Sequence, residues 1–363
     1  MIRKIALLSV IGLGIFLLPS LNATPISVYG AWHCGNDFCT WASVRSMTEF
    51  DAKNHWLVDR GDGQPSVNLV VLSFVNPLKL LNMANDSTNS QGVPAGMTPD
   101  VVNYFKSKNI RVMLSIGGIT YVNDWNNALA ANAAQLGRNA AYTAHRLGAG
   151  IEIDYEENSS PNLAGLQAFI DAYRSYVYPA DGTGTTYDSS GNNPAARLTI
   201  DLAAGDRWLI DLTRKATADW LNTTSPVLDY ANAMVPSRQP STSGAEANWQ
   251  EHIDGKPQYG PPILPLAPAK FTGSVYLVTG RRPSPECTTF STSLENTTGS
   301  YVQTAAPHGA GLSSGMLGYM FWAAECQGSR TICTTPPNDC QGGVGVGAKT
   351  YAVPIPMLPL RQN

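Results

Sequence analysis

Three acidic residues stand two positions apart in one apolar stretch of the chain. The stretch GAGIEIDYEEN, residues 148–158, carries Glu152, Asp154 and Glu156 among apolar neighbours. Side chains two residues apart in a β-strand point to the same face, so the three carboxyls are expected to share one face. Crowded carboxyls cannot all ionise cheaply, and at least one keeps its proton toward neutral pH. Such a group is suited to general acid catalysis, and Glu156 lies at the C-terminal end of the stretch.

Two other structures would also explain this spacing. An edge strand with a solvated face tolerates charge, and carboxylates can be grouped to bind calcium. Ile151 and Ile153 lie between the acids and would occupy the opposite face. They favour a strand that is buried inside the protein.

Short apolar runs alternate along the chain with longer segments of helical spacing, which is typical of parallel βα folds. Helices are predicted at Pro99–Lys108, Trp125–Leu147 and Leu163–Tyr178. The acidic stretch is the fourth of eight predicted strands, and the others are Ile26–Trp32, Asn68–Phe74, Arg111–Ile116, Leu198–Leu202, Tyr230–Met234, Gly273–Val278 and Gly315–Trp322.

This pattern predicts an α/β fold, a single (β/α)8 TIM barrel whose active site lies at the C-terminal strand ends. The polar stretches Ala180–Ala195, Ser237–Pro268 and Arg281–Ser314 are predicted as loops or embellishments. The connection between the seventh and eighth strands is too short for a large insertion domain. We therefore expect an open cleft, which suits cleavage in the middle of a polymer.

The N-terminus predicts export. Arg3 and Lys4 precede the apolar segment Ile5–Leu18, and the small residue Ala23 follows, as in a secretory signal peptide at residues 1–23. A retained membrane anchor is the alternative, although the apolar segment is shorter than the ~20 residues of a spanning helix. The mature barrel would comprise residues 24–363 and would be soluble and extracellular. The net charge is −3 and no basic run occurs, so nothing favours a nucleic-acid partner.

Six cysteines fit an oxidising compartment and predict disulfide bonds. Proximity in sequence favours the pair Cys34–Cys39 and the pair Cys333–Cys340. Cys287 and Cys326 would then form the third bond, and other pairings stay open.

Four motifs carry a resemblance to a known family. The segment AGIEIDYE, Ala149–Glu156, resembles the D-x-x-D-x-D-x-E signature on the fourth strand of glycoside hydrolase family 18, the chitinase family. SIGG, Ser115–Gly118, is similar to the S-x-G-G that ends the family's third strand. LDYANAM, Leu228–Met234, resembles the sixth strand, and GMLGYMFW, Gly315–Trp322, resembles the eighth with its terminal tryptophan. The motifs follow the family's order and span nearly the whole mature chain.

The resemblance implies a secreted chitinase that hydrolyses β-1,4-N-acetylglucosamine linkages with retention of configuration. In this substrate-assisted mechanism the acetamido group of the sugar replaces a protein nucleophile. Glu156 would be the general acid and base, Asp154 would orient the acetamido group, and Glu152 would complete the catalytic set. The implied substrate-binding residues are Trp322, Tyr155, Met234, Trp32, Ser115 and Gly117. No metal and no cofactor is expected; the partner would be chitin or chito-oligosaccharides, and the protein would act as a monomer.

Tryptophans near the predicted strand ends have two interpretations. Trp322 is expected to form the apolar floor under a sugar ring, because aromatic faces pack on pyranose C–H groups; core packing is the alternative. Trp32, Trp125 and Trp208 follow or end predicted strands one, three and five. Each is either a platform for a sugar or a packed aromatic residue.

The chain also departs from the family's motifs. Ala149 replaces the first Asp of the signature, Glu152 replaces the second, and Pro236 and Ser237 stand where M-x-Y-D has Tyr and Asp. Two other functions therefore stay open, an endo-β-N-acetylglucosaminidase of N-glycans and a lectin-like barrel that binds chitin without cutting it. The candidates to replace the missing tyrosine hydroxyl are Tyr319, Gln239 and Arg207.

Overall fold

Eight parallel strands form the centre of the molecule. The computed structural model describes residues 28–35, 40–59, 63, 65, 67–188, 191–203, 208–223, 227–234, 242–276, 278–279, 282–283, 315–322 and 324. In chain order the barrel strands are β1 (Val28–His33), β2 (Leu69–Val75), β3 (Arg111–Gly117), β4 (Gly150–Asp154), β5 (Leu198–Ala203), β6 (Ala231–Met234), β7 (Phe271–Tyr276) and β8 (Gly318–Trp322). Each strand pairs in parallel with its neighbours, and β8 pairs with β1, which closes the barrel. The predicted (β/α)8 fold is thus confirmed.

Helices connect the strands on the outside of the barrel. They are α1 (Met47–Val58), α2 (Pro77–Leu81), α3 (Pro99–Lys106), α4 (Val122–Leu147), α5 (Leu163–Arg174), α6 (Ile210–Lys215), which continues as a π-helix over Ala216–Leu221, and α7 (Thr242–Asp254). Short 3-10 turns occupy Ile119–Tyr121, Pro194–Ala196 and Pro268–Lys270.

Local sequence signals explain where several helices begin and end. The side chain of Thr98 caps α3 by accepting from the Val101 N–H, and Pro99 follows at the first helical position. Asn162 caps α5 in the same way. Gly148, with φ 64°, ends α4 and directs the chain into β4. The acidic strand therefore starts from a fixed turn.

One loop prediction was wrong, because α7 lies within the stretch Ser237–Pro268. This helix has few apolar residues, and its buried side chains include Trp249, His252 and Ile253. The imidazole of His252 contacts the carbonyl of Ala203, and burial lowers its pKa to about 4. A neutral histidine thus contributes to the inner face of a helix that hydrophobic spacing alone does not indicate.

The buried apolar residues form two groups separated by the strand backbones. The larger group fills the layer between strands and helices and includes Ile151 and Ile153 of β4. The smaller group lies inside the barrel and includes Trp32, Met113 and Met320, with Trp322 packed against it. Because the side chains alternate, the acids of β4 face the interior while the isoleucines face the helices.

Several predictions concern residues outside the described ranges. The signal peptide, residues 1–23, and five of the six cysteines lie there, so the predicted pairings stay predictions; Cys34 is described and is not a free thiol. After β7 a ribbon pairs Val278–Thr279 with Arg282–Pro283, and most of the remaining connection to β8 is likewise not described. None of the helices in the described part combines the length and apolar content that crossing a membrane requires.

Candidate active site

The structure brings the three predicted catalytic acids together on the inner face of β4 and just beyond its end. Glu152 is fully buried, Asp154 is 3% exposed, and Glu156 is half-buried after the last strand residue. The acids thus run from the middle of the barrel to the mouth at the C-terminal strand ends. This is where barrels of this class carry their active sites.

Glu152 is held by donors from other strands. Its Oε1 accepts from the indole Nε1 of Trp32 at 2.8 Å, and its Oε2 accepts from Nδ2 of Asn232 at 2.6 Å. Ser115 lies opposite Glu152 on β3, and its hydroxyl also lowers the pKa of Glu152. Burial is the larger effect and raises that pKa overall. The donors nevertheless give the ionised form of this carboxyl several partners.

Asp154 lies between two other acids. Burial raises its pKa well above the ordinary value, and the nearby charges of Glu156 and Glu152 raise it further. Its side chain hydrogen-bonds to Glu156, while its Oδ1 has no hydrogen-bond partner among the described residues. Asp154 is 3% exposed, so the small part of its carboxyl that reaches the mouth can meet a ligand there.

Glu156 has the properties of a general acid at neutral pH. Burial raises its pKa to about 7, although the hydrogen bonds from Asp154 and from the backbone N–H of Ile119 oppose this shift. A carboxyl with this pKa can both give and take a proton near neutral pH.

An aromatic surface lies at the same end of the barrel. The ring of Trp322, at the end of β8, stacks on Phe74 with centroids 5.5 Å apart and an interplanar angle of 24°. Trp32 is tilted against Trp322 at 6.3 Å. Trp322 is half-buried, whereas Trp32 is 3% exposed. Trp322 can therefore offer a face to a ligand, while Trp32 supports it and holds Glu152. Phe74 was not singled out from sequence, although it ends a predicted strand.

The SIGG segment fixes the end of β4 by its backbone. Gly117 has φ 124°, and a Cβ there would lie 1.8 Å from the carbonyl oxygen of Asp154. That oxygen accepts from the N–H of Gly118 at 3.0 Å and from Nε1 of Trp125 at 3.1 Å. Gly117 thus positions Asp154 by permitting close approach of β3. Trp125 is fully buried and is a packed aromatic residue, not a platform.

Two predicted substrate-binding residues, Tyr155 and Met234, pack against the apolar layer outside the barrel. Tyr155 is fully buried in the layer outside the barrel, where its hydroxyl donates to Asn126 at 2.5 Å and its ring packs on Trp125 at 5.5 Å. Strand alternation turns Tyr155 away from the acids, so the prediction that it contacts substrate is wrong. Met234 is half-buried at the end of β6 and packs against that outer layer.

Sequence reasoning missed a fourth acid. Asp201 lies on β5, is 1% exposed, and hydrogen-bonds to Glu152. The available signal was the same as for β4, an acidic residue inside an apolar strand, LTIDLA.

Of the remaining candidate residues, some are described by the structure and others are not. Trp208 is half-buried and packs against the outer layer. Pro236, Ser237, Gln239 and Arg207, and the side chain of Tyr319, lie outside what is described. Among the described residues, no group of three or more His, Cys, Asp or Glu side chains is arranged to hold a metal ion.

Comparison with solved structures returns several barrel enzymes at low identity. A chitinase from Rhizomucor miehei is 13% identical with a TM-score of 0.47, and the match covers 81% of this chain and 93% of that one. The Group IV chitinase of Ostrinia furnacalis is 11% identical with a TM-score of 0.42, covering 82% and 93%. A β-glucuronidase from Ruminococcus gnavus is 9% identical with a TM-score of 0.42, covering 89% and 46%.

No protein-family model and no curated protein matches the chain. At these identities and TM-scores the structural likeness assigns neither a family nor an activity.

Proposed function

We propose that this protein is a secreted glycoside hydrolase of the chitinase type, which cleaves β-1,4-N-acetylglucosamine linkages with retention of configuration. The observation that carries the proposal is the pairing of Asp154 and Glu156. One is a buried acid with a raised pKa that hydrogen-bonds to the other, and the other is a half-buried acid with a pKa of about 7 at the mouth of the barrel.

In the first step Glu156 acts as the acid. Its carboxyl gives a proton to the oxygen of the glycosidic bond, and the bond from that oxygen to the anomeric carbon breaks. The pKa of about 7 leaves a large fraction of Glu156 protonated in neutral solution. The N–H of Ile119 then stabilises the carboxylate that remains.

The nucleophile is assigned to the substrate. Retaining glycosidases with two catalytic carboxylates need one of them ionised and facing the sugar, with the two about 5–5.5 Å apart. Asp154 is almost fully buried, and its raised pKa keeps it protonated, which makes it a poor nucleophile. The carbonyl oxygen of the 2-acetamido group attacks the anomeric carbon instead and forms an oxazolinium ring.

Asp154 orients that acetamido group. An oxygen of its carboxyl accepts the N–H of the amide, and this bond strengthens as positive charge develops on the ring. The carboxylate of Glu156 next removes a proton from water, and the hydroxide opens the ring at the anomeric carbon. Two inversions give net retention. Glu156 ends the cycle protonated again.

The aromatic surface provides the subsite for the sugar that reacts. Trp322 is positioned by its contacts with Phe74 and Trp32. Its exposed part is suited to the C–H face of a pyranose, which supplies affinity without adding charge near the acids.

Export and a monomeric state belong to the proposal. Chitin is a polymer outside the cell, so an enzyme that acts on it needs the signal peptide predicted at residues 1–23. N-terminal sequencing of the protein from culture medium tests the cleavage site, and sedimentation tests the monomer.

The function is tested with N-acetylglucosamine hexamer and with a high-mannose glycoprotein. We expect the wild type to shorten the hexamer and Glu156→Gln to lose at least ~100-fold of that activity, because a general acid contributes about this factor or more. Glu157→Gln is the matched control, since Glu157 is the adjacent half-buried glutamate, and a hydrogen bond from Asn126 lowers its pKa. Binding without products over a broad pH range would identify a lectin instead. Release of glycans with an intact hexamer would identify an N-glycan endoglycosidase.

A further inference from the structure

Asp201 extends the row of acids to a second strand. It pairs in register with Asn232 of β6, and Asn232 is oriented by two bonds, one to Glu152 at 2.6 Å and one from Thr272 at 2.7 Å. The side chain of Asp201 hydrogen-bonds to Glu152. Two carboxyls can share such a bond only when one of them carries a proton.

We propose that Asp201 is the proton-holding partner of Glu152 and a positioning residue for the hydrolysis. The pair keeps one proton and one negative charge, and this charge in turn holds the proton on Asp154. The inference rests on the proposed function for its effect on catalysis, but the proton on the pair can be measured without it.

The surroundings assign the proton to Asp201. Glu152 already accepts bonds from Trp32 and Asn232, which favour its ionised form. The titratable groups that face Asp201 are Glu152 and Asp154 of β4, and the amide of Asn232 faces it from β6. Burial, and after it the negative charge on Glu152, raise the pKa of Asp201 well above its ordinary value. The proton therefore resides on Asp201 and is donated to Glu152.

The consequence extends to the mouth of the barrel. The negative charge on Glu152 raises the pKa of Asp154, which then donates to Glu156. Protonated and ionisable carboxyls thus alternate from Asp201 to Glu156. Ala149, where the resembled signature has an aspartate, lies in the apolar layer outside the barrel. Asp201, on the neighbouring strand, is the second acid beneath Asp154.

The kinetic test compares Asp201→Asn with Thr199→Val. Asparagine keeps a donor for Glu152, but an amide N–H is a weaker donor than a carboxylic acid O–H, so we expect Glu152 to protonate at higher pH. The acid limb of kcat/KM on the hexamer should move up by about one pH unit, mainly through kcat. Thr199 faces the same interior two residues earlier, is opposite Glu152, and has no partner for its hydroxyl among the described residues. The pH profile of Thr199→Val should therefore match that of the wild type. An equal loss of activity at every pH in Asp201→Asn, or no change, would overturn the proposal.

The second arm does not require activity. Infrared difference spectra report protonated carboxyls by their C=O stretching band, and Asp201→Asn should lose one such carboxyl at pH 7 relative to wild type and Thr199→Val. An unchanged band would overturn the proton-sharing pair even in an active enzyme. Loss of the band in an enzyme that cleaves nothing would support the pair and contradict the proposed function.

Discussion

The indole of Trp32 donates a hydrogen bond of 2.8 Å to Oε1 of Glu152. This bond joins the first strand to the fourth across the interior of the barrel and gives the ionised carboxyl a fixed donor. Trp32 was expected to stack on substrate, but it is 3% exposed and holds an acid in place. The row of acids is therefore held in place by residues from several strands.

The pH dependence of the reaction should follow Glu156. Its pKa is about 7, so the protonated acid is present below that value and is lost above it. We expect kcat/KM on N-acetylglucosamine hexamer to fall about tenfold per pH unit on the alkaline side of this pKa. Initial rates between pH 5 and 9 measure this, with circular dichroism to verify that the protein stays folded. A constant rate up to pH 9 would rule out Glu156 as the acid.

Replacing Glu156 should change how the free energy of unfolding depends on pH. The folded-state pKa of about 7 lies above the ordinary 4.5, so the stabilising effect of the proton is complete below about 4.5 and is lost as the pH rises through 7. Glu156→Gln should thus gain stability over wild type between pH 5 and pH 8, by up to about 3 kcal/mol. Urea unfolding at both pH values measures the gain.

The control for this stability gain is Glu157→Gln. Hydrogen bonds from Asn126 and Ser159 lower the pKa of Glu157, so its contribution is present above the ordinary value and is lost only as the pH falls. This variant should gain nothing at pH 8. A similar gain in both variants would show that the effect is not specific to the buried acid.

The sequence predicted the features that depend on local pattern. Strand alternation was sufficient to bring Glu152, Asp154 and Glu156 to one face, and the eight apolar runs gave the barrel. It could not predict which strands would supply partners to the acids, because Trp32, Asn232 and Asp201 come from distant parts of the chain. Tyr155 was assigned to the substrate although the same alternation turns it outward. Helix α7 was missed because its buried side chains include a neutral histidine and few aliphatic residues.

Trp322 should contribute affinity more than rate. Its replacement by alanine removes the ring that stacks on Phe74, and we expect KM for the hexamer to rise about tenfold or more, as for the loss of one well-packed aromatic contact. Trp322→Phe retains a smaller ring, and its KM should lie between those of the wild type and Trp322→Ala. The measurement is a comparison of KM and kcat for the three proteins. Unchanged KM in Trp322→Ala would mean that the ring only fills the interior.

Gly117 should tolerate no side chain. A Cβ would lie 1.8 Å from the carbonyl oxygen of Asp154, so Gly117→Ala must move β3 or β4, at a cost of about 3 kcal/mol or more. Gly182→Ala is the matched control, because Gly182 also has a positive φ, 75°, but has nothing within 4 Å of the new Cβ. It should cost only the conformational strain of about 1–2 kcal/mol. Urea unfolding compares the two, and equal losses would show that close approach at Gly117 is unimportant.

The configuration of the first product is the most direct test of the account. Proton NMR of the hexamer during the first turnovers records which anomer forms at the new reducing end, before mutarotation mixes the two. Attack by the acetamido group followed by water predicts the β-anomer. The α-anomer would show direct displacement by water, and neither the role of Asp154 nor that of the substrate as nucleophile would then survive.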